Sequence, residues 1–129
     1  MADQIQILIV DDSSLLRNSI RSCIEENSPW QVCGEAENGK LAVEKVLELH
    51  PDLVLLDLSM PIMNGLDAAR RIASVAPRTV MVMFTLHSSP QLMNSAKSAG
   101  IKGVLSKSEN SLDNLIDSLK IYLSPEPII

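Results

Sequence analysis

Aromatic side chains are nearly missing: Trp30, Phe84 and Tyr122 are the only three in 129 residues. Any core must therefore be assembled from Leu, Ile, Val, Met and Ala. Cysteine is scarce too. Cys23 and Cys33 stand ten positions apart, with no C-x-x-C pair and no histidine at ligand spacing. That excludes a zinc site and reads as two buried free thiols in a reducing compartment. Basic residues are outnumbered, 11 against 16 acidic, for a net charge of −5 and a pI near 4.9. These residues do not offer the basic face that direct nucleic-acid binding requires. No apolar run approaches the roughly 20 residues that span a bilayer. The N-terminus lacks the basic and apolar regions of a secretory signal. A cytoplasmic protein without a membrane partner is the expectation.

What is present is 46% hydrophobic and 21% charged residues, the balance of a folded domain of ordinary size. The chain is organised around Asp52-Leu53-Val54-Leu55-Leu56-Asp57, an unbroken apolar run of the kind that forms a strand buried on both faces, closed by a lone carboxylate. Met60-Pro61-Ile62-Met63-Asn64-Gly65 then turns the chain into a helix.

Four more apolar runs read as strands: Ile5 to Val10, Trp30 to Ala36, Thr79 to Thr85 and Lys102 to Ser106. Between them lie helical patterns. Ser13 or Ser14 caps the first, whose Leu16, Ile20, Cys23 and Ile24 recur at helical spacing until Asn27-Ser28-Pro29. Asn38-Gly39 marks a turn before the second (Leu41, Ala42, Val46, Leu49), which His50-Pro51 ends. Leu66, Ala69, Ile72 and Ala73 face inward on the third, with Arg70 and Arg71 outward and Pro77 after it. Ser88-Ser89-Pro90 opens the fourth and Gly100 closes it. The last begins near Ser111 and carries Leu112, Leu115, Ile116, Leu119 and Leu123. Residues 1–123 form one domain on this reading, and 124–129, with Pro125 and Pro127, are a tail or the start of a linker. Strict alternation implies a doubly wound α/β fold with a parallel five-stranded sheet.

In such a sheet the carboxyl ends of the strands lie on one edge, where ligands bind. Those ends carry Asp11-Asp12, Asp57, Thr85 and Lys107. Two carboxylates about 4 Å apart repel by about 4 kcal/mol at an effective dielectric of about 20. Three together want a cation or shifted pKa values. Oxygen donors alone suit a hard ion such as Mg²⁺. A metal-bound carboxylate beside an ammonium accepts anions, and a carboxylate can attack phosphorus to give an aspartyl phosphate.

This set resembles the receiver domain of two-component response regulators, over Ile7 to about Leu123. The acidic pair Asp11-Asp12, Asp57 followed by Met60-Pro61 and Gly65, Thr85 and Lys107 carry the resemblance. It implies a flavodoxin-like (βα)5 fold with strand order 2-1-3-4-5. It implies Asp57 as the phosphoacceptor for a histidine kinase or phosphotransfer protein. Mg²⁺ would be held by Asp12 and Asp57, by Asp11 through water, and by the backbone carbonyl of Ser59. Thr85 would hydrogen-bond the phosphoryl group and Lys107 would pair with it. The resemblance further implies a shift between two conformations, with homodimerisation and a C-terminal effector domain, such as a DNA-binding one, as outputs that the family uses.

Three residues depart from the family's pattern. Leu86 stands where a small residue usually follows the threonine, and would narrow access to Asp57. Val104 replaces the usual aromatic three residues before Lys107. Ser108 follows that lysine in place of proline, so no cis peptide is expected there. His87 reads as a solvent-facing loop residue. A degenerate receiver that binds partners without phosphorylation is the competing interpretation, and the intact acid set argues against it. A phosphohydrolase would need an acid two residues after the nucleophile, where Ser59 stands, so the chain reads as a signalling module and not an enzyme. Flavin binding fails because it wants a hydroxyl-rich phosphate loop after the first strand and aromatic stacking, whereas Asp11-Asp12 repels phosphate unless a metal intervenes.

Overall fold

The computed structural model describes residues 4–86, 88–107 and 112–123. The apolar runs form strands β1 (Gln6–Val10), β2 (Gln31–Ala36), β3 (Leu53–Leu56), β4 (Val80–Thr85) and β5 (Gly103–Ser106). They alternate with helices α1 (Ser14–Asn27), α2 (Gly39–Leu49), α3 (Gly65–Val75), α4 (Pro90–Ser98) and α5 (Leu115–Leu123). All strands are parallel, in the order β2-β1-β3-β4-β5. This is the expected order. The proposed start of the last helix at Ser111 and the 124–129 tail lie outside the described residues.

The strands are continuous apolar runs because both faces are covered. Successive residues alternate between two separate cores. Leu8 and Val10, Val54 and Leu56, and Met81 and Met83 pack on the side of α2, α3 and α4. Ile7 and Ile9, Leu53 and Leu55, and Val82 and Phe84 pack on the side of α1 and α5, with half-buried Trp30 at the margin. Fully burying a side chain of this size stabilises the fold by about 1.5–3 kcal/mol.

The helix starts are fixed by side chains that accept from the first turn. Ser13 caps α1 through Leu16 N–H at 3.1 Å, and Ser89 caps α4 through Leu92 N–H at 3.0 Å, with Pro90 in the first turn. Asn38 and Asn64 do the same for α2 and α3 through Leu41 and Asp67. Each such cap contributes about 1 kcal/mol. Because every helix here follows a strand, these N-termini point their positive dipole ends at the carboxyl edge of the sheet. Beyond α4, Gly100 adopts φ +94°, the left-handed conformation that lets the chain reverse after a helix. Both cysteines are free thiols, but half-buried, not enclosed.

Candidate functional site

Strand register brings the polar residues together. Val10 pairs with Leu56 and Asp57 N–H donates to Val10 O at 3.0 Å, so the residues just beyond, Asp11 and Asp57, become neighbours. Thr85 pairs with Ser106, placing Lys107 one step further along the same rim. The outcome is a cluster. Single carboxylate oxygens of Asp11, Asp12 and Asp57 lie within 4.8 Å of one another. Lys107 Nζ is 2.7 Å from Asp11 Oδ2 and 3.3 Å from Asp57 Oδ2. It also lies 6.0 Å from the centre of the Phe84 ring, at the outer limit of a cation–π contact.

Asp11 and Asp57 are buried, as is Thr85, whereas Asp12 is exposed. Asp11 Oδ1 accepts from Ser13 N–H at 2.9 Å, and Asp57 Oδ1 accepts from Leu58 N–H at 2.8 Å. Burial pushes the Asp57 carboxyl above its ordinary value, and the negative charge of Asp11 pushes the same way. Lys107 and the Leu58 amide oppose that rise without cancelling it. One ammonium facing three carboxylates leaves the rim short of positive charge. The donors are hard oxygens converging on one point, and this set fits a small divalent cation of the Mg²⁺ type.

The loop after Asp57 is held by backbone contacts. Gly65 N–H donates to Leu58 O at 2.8 Å, and Gly39 N–H donates to Met63 O at 2.9 Å. A Cβ at Gly65 would collide with the carbonyl of Asp57, so only glycine fits this approach. Ile62, in the same loop, takes φ +70°, a conformation that a β-branched residue adopts at a cost. Ser59 lies exposed two residues beyond Asp57. Leu86 is 57% exposed beside the rim, and Val104 packs into the core on the α4 side. His87 and Ser108 lie outside the described residues.

Two residues at this edge were not singled out by sequence. Arg17 on α1 donates from Nη1 to the backbone carbonyl of Asp11 at 2.6 Å and from Nε to Glu35 at 2.8 Å. Arg21 donates to the other oxygen of Glu35 at 2.9 Å. Burial raises the Glu35 carboxyl, but the two guanidinium groups more than offset it and hold the group below its ordinary value.

A family model for the response regulator receiver domain matches residues 7–120. The chain belongs to that family. Within it, the receiver is 40% identical over 106 residues to the transcriptional regulatory protein YdfI of Bacillus subtilis, covering 82% of this chain and 49% of YdfI. It is 36% identical over 102 residues to the chemotaxis protein CheY of Thermotoga maritima, covering 79% of this chain and 84% of that protein. The crystal structure of the response regulator domain of Thermotoga maritima CheB matches the receiver with a TM-score of 0.87 at 27% identity. That match covers 97% of this chain and 100% of the other. The receiver thus spans about half the length of YdfI. Among the described residues, no helix is long and apolar enough to cross a membrane.

Proposed function

We propose that the receiver accepts a phosphoryl group on Asp57 from a phosphohistidine of a kinase or phosphotransfer protein. The carrying observation is the grouping of Asp11, Asp12, Asp57 and Lys107 at the carboxyl edge of the sheet. In the step itself an Asp57 carboxylate oxygen forms a bond to phosphorus as the P–N bond breaks. The electron pair of that bond stays on the imidazole nitrogen, which takes a proton. Asp12 and Asp57, with Asp11 through water and the carbonyl of Ser59, are assigned to hold Mg²⁺. When bound, that ion supplies positive charge to the phosphoryl oxygens.

The chain's own groups do the rest. Lys107, held at the rim by Asp11, offers its ammonium to the transferred group. Thr85, at the end of β4, is assigned the hydrogen bond to a phosphoryl oxygen. Leu58 N–H orients the Asp57 carboxylate through Oδ1. The acyl phosphate then biases the domain toward a second conformation. By likeness to YdfI, the output is proposed to be transcriptional control by a domain C-terminal to this one.

Incubation with acetyl phosphate and Mg²⁺, followed by intact-mass spectrometry, tests the reading. Wild type should gain the mass of one phosphate, and Asp57→Asn or omission of Mg²⁺ should abolish the gain. If neither wild type nor Leu86→Ala is modified while Mg²⁺ still binds, a phosphorylation-independent interaction module becomes the better description.

A further inference from the structure

The β1–α1 loop that carries both N-terminal acids is enclosed in a ring of bonds. Asp11 N–H donates to Ala36 O on β2 at 3.0 Å. The preceding residue on β2, Glu35, binds Arg17 Nε, and Arg17 Nη1 returns to Asp11 O. The peptide plane between Asp11 and Asp12 is thereby fixed at its carbonyl by a guanidinium from the next helix. That plane sets where the Asp12 Cα, and with it the exposed Asp12 carboxylate, is placed. Among the described residues no hydrogen bond or ion pair holds the Asp12 carboxylate, whereas that of Asp11 is tied by Ser13 and Lys107.

Arg17 does not act on the acid cluster as an uncompensated charge. Its guanidinium shares Glu35 with Arg21, and Arg21 also meets Glu25 at 3.7 Å, so two cations face two anions. The Arg17 side chain is 14% exposed and that of Glu35 22%, a degree of enclosure that restricts both to one geometry. A fork with one donor on the Glu35 carboxylate of β2 and another on the Asp11 carbonyl of the β1–α1 loop is something that a lysine, a single point of charge, cannot reproduce.

We propose that Arg17, clamped by Glu35, is a positioning residue that presents Asp12 and Asp11 to the divalent cation at the phosphoacceptor rim. This rests on the functional reading above. Groups one bond removed from metal ligands commonly change affinity by about 10–100-fold when lost.

Calorimetric titration of the 129-residue chain with MgCl2 reads the effect without any phosphorylation step. Arg17→Gln should weaken Mg²⁺ binding about tenfold, and Arg17→Lys should not restore it. Glu35→Ala should reproduce the loss, while Glu35→Gln, which keeps an acceptor for Nε, should stay near wild type. The double variant Arg17→Gln/Glu35→Ala should be no weaker than either single one. Unchanged affinity in a folded Arg17→Gln, or rescue by Arg17→Lys, overturns the inference alone. Should Arg17→Gln not fold, the Glu35→Ala affinity decides in its place. Absence of Mg²⁺ binding in wild type overturns the functional reading, and this inference with it.

Discussion

Lys107 lies nearer to Asp11 than to Asp57: its Nζ stands 2.7 Å from Asp11 Oδ2 and 3.3 Å from Asp57 Oδ2. The lysine is thus anchored on the neighbour of Asp57 while remaining within reach of Asp57 itself. Its removal leaves two buried carboxylates without their cation. Lys107→Met is expected to destabilise the fold by about 1–3 kcal/mol in Mg²⁺-free buffer, the range for stranding a hydrogen-bonded charge. Added Mg²⁺ should recover part of the loss. Urea unfolding with and without the ion checks both statements.

The raised carboxyl of Asp57 carries a sign. In the folded chain it holds its proton to higher pH than in the unfolded chain, because burial and Asp11 disfavour its charge. Stability therefore falls as pH rises from the ordinary carboxylate value through the raised one, and the cost is complete above it. Asp57→Asn removes that titration. The variant should have a higher urea midpoint than wild type at neutral pH, with the gain vanishing below the ordinary carboxylate range. An equal gain at both pH values would contradict the assignment.

Gly65→Ala places a methyl against the Asp57 carbonyl. The clash is with backbone, which cannot rotate away, so the β3–α3 loop must shift. A loss of about 1–3 kcal/mol is expected, together with slower acquisition of phosphate from acetyl phosphate. Thermal melting and intact-mass time courses on the same preparation separate the two effects.

Leu86, 57% exposed, contributes little to the core. Leu86→Ala should alter stability by less than about 0.5 kcal/mol. Its phosphorylation rate should rise several-fold if the side chain obstructs the approach to Asp57. A rate equal to wild type would show that the leucine leaves the approach open.

The five parallel strands were legible because apolar runs alternate with helical patterns, four of them leading into Asp11, Asp57, Thr85 and Lys107, while their order came only from the family resemblance. A serine cap before α1 and before α4 was legible for a local reason, a hydroxyl directly before a periodic segment, and the structure selects Ser13 over Ser14 and Ser89 over Ser88. Asn38 read only as a turn, since Asn-Gly serves turns and caps alike. Arg17 was not legible at all. A lone arginine between apolar positions on a helix reads as solvated, and its partner Glu35 is brought beside it only by the pairing of β1 with β2. The left-handed Ile62 was equally hidden, because local sterics argue against it and only the loop's tertiary ties hold it there.

The scarcity of aromatics has an optical consequence. Trp30 precedes β2, whereas the acids lie beyond the opposite ends of the strands. At about 3.3 Å per residue the six residues of β2 alone put roughly 20 Å between them. Tryptophan emission will therefore follow unfolding of the α1 and α5 side while staying dark to events at Asp57. The molecule separates the two signals by itself, and a fluorescence change on adding a phosphodonor would mean that the far edge of the sheet had moved.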